Sequence, residues 1–183
     1  MKCGSPARRL VNFGVGRDKV PCRNPAQEDE LTNEALSAPE TVRILLIEDN
    51  EADVYLMRRA LDDEKFRYDL TTLEDGEMAL SFIRREGKYA HAKQPKVIVL
   101  DLNLPRSSGI EVLKEIRGNA EFADLPVAVF TSSDSPEDKS AVAALGVTCF
   151  LRKPMGLDEA SKIGKRIKEL ALAGKDGGAR AVT

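Results

Sequence analysis

Lys96-Val-Ile-Val-Leu100, with Asp101 directly after it, decides the fold. Four consecutive branched apolar residues offer no polar side, so a strand made of them must be covered on both faces, as strands are inside a parallel sheet flanked by helices. The pattern on either side agrees. Upstream, Val42-Arg-Ile-Leu-Leu-Ile47 reads as a buried strand, Asn50-Glu-Ala-Asp53 as a capping-type helix start, and Ala52, Leu56 and Ala60 as one face of the helix that follows. Phe66 to Leu73 is a second strand, and Gly76 turns the chain into a helix that uses Ala79, Phe82 and Ile83. Downstream, Ile110, Leu113 and Ile116 recur at helical spacing, and Pro126-Val-Ala-Val-Phe130 makes a fourth strand. Ser135-Pro-Glu-Asp138 then places an N-cap before a proline at the first helical position. Val147 to Leu151 is a fifth strand, and Ala160, Ile163, Ile167 and Leu170 stripe the last helix. Five strand–helix units in succession predict an α/β, doubly wound, five-stranded parallel sheet with right-handed crossovers and helices on both faces.

The chain of 183 residues has room for one ordinary domain plus tails. Residues 1–40 have no sustained periodicity, begin basic and swing acidic after Gln27, and read as a disordered leader. Residues 41–173 carry the strand–helix repeat, and 174–183, small and glycine-rich, read as a flexible tail. A net charge of -2 leaves no overall footprint for nucleic acid or an anionic membrane. The basic run Lys162, Lys165, Arg166 and Lys168 reads as a solvated helix face rather than a DNA contact. No apolar run approaches the roughly 18 residues a membrane span needs. Cys3, Cys22 and Cys149 are an odd count in no CxxC spacing, which suits a reducing cytoplasm better than a disulfide framework or a zinc site. His91, the single histidine, lies in the polar stretch Tyr89 to Pro95 and reads as a solvated loop residue, which removes histidine-based triads and metal sites.

In a doubly wound sheet, ligands gather beyond the carboxyl ends of the strands where strand order reverses. The first strand ends in Glu48-Asp49, the third in Asp101, the fourth in Thr131-Ser132 and the fifth in Lys153-Pro154. Any one of these acids alone reads equally well as a turn former or a helix cap. Together they repel, by about 4 kcal/mol per pair at 4 Å and an effective dielectric near 20, so the set calls for a cation. Hard oxygen ligands point to Mg2+ rather than zinc. A carboxylate beside such an ion, faced by an ammonium and a hydroxyl, is also suited to attack a phosphoryl group. The chain has neither a GxxxxGK[ST] cradle nor the kinase motifs, so the phosphoryl group has to arrive from another molecule.

These motifs, Leu46-Ile-Glu-Asp-Asn50, Val97-Ile-Val-Leu-Asp-Leu-Asn-Leu-Pro105, Val129-Phe-Thr-Ser132 and Phe150-Leu-Arg-Lys-Pro154, resemble the CheY-like receiver domains of two-component response regulators over about residues 41–173. The resemblance implies that Asp101 is the phosphoacceptor and that Glu48 and Asp49 hold Mg2+ with Asp101 and the backbone carbonyl of Asn103. It also implies that Lys153 pairs with the phosphoryl oxygens and that Thr131 and Phe150 form the switch pair. Asp49-Asn-Glu-Ala-Asp-Val-Tyr-Leu56, Leu102-Asn-Leu-Pro-Arg106 and the long Gly87 to Pro95 linker are similar to the regulators paired with phytochrome-type sensor kinases. Two departures stand out: Phe150 lacks the hydroxyl common at its position, and Ser108 replaces a frequent Asp before Gly109.

The expected function is that of a single-domain response regulator. It takes a phosphoryl group on Asp101 from a sensor histidine kinase or a phosphotransfer protein and signals to a downstream protein through an altered surface, with dimerisation through that surface left open. The alternative is a receiver fold used as a constitutive adaptor and never phosphorylated. A phosphatase with an aspartyl-phosphate intermediate is disfavoured, because Asn103 stands where such enzymes place a second acid.

Overall fold

The structure, a computed structural model, describes residues 41–132 and 136–173. The leader at 1–40, the tail at 174–183 and the Ser135 cap lie outside the described residues. The elements run β1 (Val42–Ile47), α1 (Glu51–Asp63), β2 (Tyr68–Leu73), α2 (Gly76–Ile83), a 3-10 turn (Gly87–Tyr89), β3 (Val97–Leu100), α3 (Gly109–Gly118), β4 (Val127–Thr131), α4 (Pro136–Ala144), β5 (Cys149–Arg152) and α5 (Leu157–Ala173). All five strands pair in parallel in the order β2-β1-β3-β4-β5. The α/β, doubly wound expectation therefore holds.

Alternation along the strands divides the core in two. Ile44, Leu46, Val97, Val99, Ala128 and Phe130 face α1 and α5 through Met57, Leu61, Ile163 and Ile167. Leu45, Ile47, Ile98, Leu100, Val127 and Val129 face α2 and α3 through Ala79, Phe82, Val112, Leu113 and Ile116. Every residue of β3 and β4 is buried, as strands covered on both sides require.

Several boundaries and one helix face differ from the sequence reading. The second strand starts at Tyr68 rather than Phe66, whose ring instead packs on Tyr68 with centroids 5.5 Å apart. The fourth strand starts after Pro126, which has no N–H to give the ladder and only accepts from Ile98 through its carbonyl at 3.0 Å. The fifth begins at Cys149, because Gly146 at φ +69° still turns the chain and Val147 packs against the core from a loop. On α1 the buried stripe is Met57, Ala60 and Leu61, with Ala52 exposed, so the packed face lies round the helix from the one that the Ala52, Leu56 and Ala60 spacing suggested. His91 is exposed in the α2–β3 connection, as expected.

Candidate metal and phosphoacceptor site

β1 lies between β2 and β3, so the chain leaves β1 in one direction and returns past it in the other, which opens a crevice at the carboxyl ends of β1 and β3. The ladder continues one residue past three of the strands. Glu48 N–H donates to Leu73 O at 2.9 Å, Asp101 N–H to Ile47 O at 3.0 Å and Lys153 N–H to Thr131 O at 3.0 Å. Extended backbone to that point keeps the two-residue alternation. Glu48 follows Ile44 and Leu46, Asp101 follows Val97 and Val99, and Lys153 follows Cys149 and Leu151, all on the α1–α5 side. Three side chains from three strands thus converge by register alone.

At the centre is the Lys153 ammonium. It donates to Asp101 Oδ2 at 2.8 Å and Glu48 Oε1 at 2.9 Å, and stands 2.8 Å from Glu48 Oε2 and 2.9 Å from Asp53 Oδ2. Its other flank lies on the Phe130 ring, 5.5 Å from the centroid. Glu48 and Asp101 are 0% and 2% exposed. Asp101 Oδ1 accepts from Asn103 N–H at 3.2 Å, and Glu48 Oε1 accepts from Asn50 N–H at 3.2 Å. Burial pushes the Glu48 carboxyl up to about 7, despite the opposing pull of Lys153, and the neighbouring Asp101 adds to the rise. Burial by itself would lower the Lys153 pKa, but the hydrogen bonds to Asp101, Glu48 and Asp53 together outweigh it and hold the ammonium above its ordinary value.

One oxygen each from Glu48, Asp49 and Asp101 lie within 4.8 Å of one another. Glu48 Oε2 is buried and accepts no aligned hydrogen bond, although the ammonium is close. Three carboxylates, Glu48, Asp53 and Asp101, contact one ammonium, Asp49 adds a fourth beside Glu48 and Asp101, and the donors are all hard oxygens. This set fits a divalent cation of the Mg2+ class. Asn103 follows in the β3–α3 loop, which is pinned where Gly109 N–H donates to Leu102 O at 3.0 Å. A Cβ on Gly109 would stand 2.2 Å from the Asp101 carbonyl oxygen, so only glycine allows α3 to start this close to the loop. Ser108 caps α3 in a full capping box with Glu111, so its replacement of Asp costs the helix nothing.

Thr131 ends β4 and is 4% exposed, and Phe150, registered beside Val129, is 37% exposed. Of the residues expected from the sequence, Glu48, Asp49, Asp101 and Lys153 come together at the carboxyl ends of the strands and Thr131 ends β4, whereas Phe150 lies within β5, two residues before the strand ends. Missing from that expectation is Asp53, whose carboxylate touches Lys153.

Comparison with known proteins agrees with this geometry. The family model described as "Response regulator receiver domain" matches residues 44–164. The response regulator Rcp1 of Synechocystis sp. is 37% identical over 129 residues, covering 70% of this chain and 88% of that protein. The crystal structure of the phosphorylated cyanobacterial phytochrome response regulator RcpA superposes with a TM-score of 0.68 at 36% identity, over 73% of this chain and 96% of that one. The Mn(2+)-bound form of Rcp1 gives 0.66 at 34% identity, over 76% and 99%. A parallel sheet in CheY-like order, an acidic nest suited to a divalent cation and an ammonium bound to its central carboxylate complete the case: the chain belongs to the response regulator receiver family, whose members signal by Mg2+-dependent aspartyl phosphorylation through a protein-binding surface.

Proposed function

We propose that Asp101 accepts the phosphoryl group of a phosphohistidine on a sensor kinase or phosphotransfer protein. A carboxylate oxygen of Asp101 forms a bond to phosphorus as the N–P bond breaks, and the histidine leaves with the electron pair of that bond. The observation that carries this reading is the buried Asp101 carboxylate bound to Lys153 within the Glu48, Asp49 and Asp101 nest. When bound, Mg2+ held by Glu48, Asp49, Asp101 and the carbonyl of Asn103 offsets the negative charge of the nest and of the phosphoryl oxygens. Lys153, already on Asp101, needs only a small shift to pair with a phosphoryl oxygen, and Thr131 donates its hydroxyl to another. Drawing Thr131 inward vacates room on the face it shares with Phe150, and inward rotation of that ring remodels the surface formed by α4, β5 and α5.

The kinase is proposed to be phytochrome-like. The support is the Asp49–Leu56 and Leu102–Arg106 stretches together with the likeness to Rcp1 and RcpA. Its docking is placed near α1, the downstream partner at the α4–β5–α5 surface, where a second copy is the other candidate, and the protein in the cytoplasm. Among the described residues, no helix is long and apolar enough to cross a membrane.

The test is incorporation of label from acetyl phosphate with Mg2+. The wild type is expected to take up label and Asp101→Asn none; label on the variant refutes the assignment. A constitutive adaptor is separated by adding beryllofluoride with Mg2+ and following chemical shifts, which an inert pocket leaves unchanged.

A further inference from the structure

Asp53 stands at the third position of α1, from which an acid ordinarily reaches back to the N–H of the N-cap residue. Glu111 does so in α3. In α1 the Asn50 N–H is taken by Glu48 Oε1, and Asn50 Oδ1 caps Ala52 N–H at 2.9 Å. Asp53 is thereby released from capping. Its Oδ2 lies 2.9 Å from Lys153 Nζ, the same nitrogen that binds Asp101 at 2.8 Å.

We propose that Asp53 is a positioning residue for Lys153, a carboxylate that holds the ammonium toward α1 and competes with an anion on Asp101 for it. The proposal rests on the reading of Asp101 as phosphoacceptor. Two consequences follow from charge alone, and they have opposite signs. Asp53 adds negative charge beside the nest, which favours a divalent cation. The same charge repels a phosphoryl group and occupies one of the three donors of Lys153, which disfavours the anion. Asp53 is half-buried beneath the exposed Glu51 and Ala52 of the first turn of α1, so a partner that docks on this turn and reaches the carboxylate would release Lys153 to the phosphoryl group.

The test compares the full chain with Asp53→Asn and Asp53→Glu. In the metal-free protein, proton exchange of the Lys153 ε-ammonium is expected to quicken in Asp53→Asn. Titration with MgCl2 is expected to show binding about fivefold weaker in Asp53→Asn, and titration with beryllofluoride at saturating Mg2+ binding about fivefold tighter. Asp53→Glu is expected to return both toward wild type. A residue needed only for the fold would weaken both ligands together, so parallel changes, or none, overturn the inference. Failure of the wild type itself to respond to beryllofluoride sinks the acceptor reading and this inference with it. A normal wild-type response with an unchanged variant sinks the role of Asp53 alone.

Discussion

Glu48 is where pH acts on this molecule, because its carboxyl is fully buried and held up to about 7 from an ordinary 4.5. The native protein binds this proton more tightly than the unfolded chain does. The stability it contributes is complete below 4.5 and is lost as pH rises through about 7. Glu48→Gln stays neutral and escapes that loss. In chelator, the stability of the variant relative to wild type is therefore expected to rise between pH 5 and pH 8 by on the order of 2 kcal/mol. Denaturant melts at the two pH values check it, and a pH-independent gap refutes it. Because a cation competes with the same proton, Mg2+ affinity is expected to climb over that window and level off above it. Glu48, Asp49, Asp101, Thr131 and Lys153 were legible in the sequence because apolar runs fix roughly where each strand stops, and these residues stand at or within two positions of those stops. Asp53 was not, since an acid at the third position of a helix reads as part of a cap. Only the local hydrogen bond from Asn50 N–H to Glu48, together with the approach of Lys153 from the far end of β5, shows that it serves the ammonium instead.

Helix packing sets the frame that holds those residues, and its tightest contact is between α1 and α5. A Cβ on Gly164 would stand 2.0 Å from the Ala60 carbonyl oxygen and 3.2 Å from the Ala60 Cβ. Backbone cannot yield as a flexible side chain does, so Gly164→Ala must push the helices apart. Overpacking of this kind costs about 1–3 kcal/mol, and a lower denaturant midpoint with an unchanged slope is the expected result. Gly109→Ala acts elsewhere: the clash with the Asp101 carbonyl displaces the loop carrying Asn103. Mg2+ binding is expected to weaken more than stability falls, and titration beside a thermal melt separates the two effects. The helices were legible from their spacing, but the buried face of α1 was not. Ala52, Leu56 and Ala60 obey a helical period as well as Met57, Ala60 and Leu61 do, and small residues at helix ends give no sign of which stripe is covered. Strand starts blurred for a related reason: Phe66 and Val147 are apolar enough to extend a strand, yet both are buried in part from loops that feed it.

For the molecule as a whole, the two sides of the sheet are unequally held. α5 buries Ala160, Ile163, Ile167, Leu170 and Ala171, whereas among the described side chains of α4 Val142 alone is buried. Few apolar contacts mean a low cost of moving the element, so α4 is the helix that a change at Thr131 and Phe150 can shift most easily. Amide exchange is expected to be faster in α4 than in α5, and beryllofluoride with Mg2+ is expected to alter protection in α4 and β5 while leaving α5 next to Ala60 unchanged. On the proposed reading, Phe150 sets the coupling. Its ring is part-exposed, so Phe150→Ala is expected to cost under about 1 kcal/mol of stability. The variant still presents Asp101, Lys153 and the acidic nest, so it is expected to bind Mg2+ and beryllofluoride with wild-type affinity. Without the ring that fills the space left by Thr131, however, the shift and protection changes at α4 and β5 should disappear. Ligand affinity measured beside chemical shifts on one sample decides the matter: retained changes at α4 would remove Phe150 from the coupling.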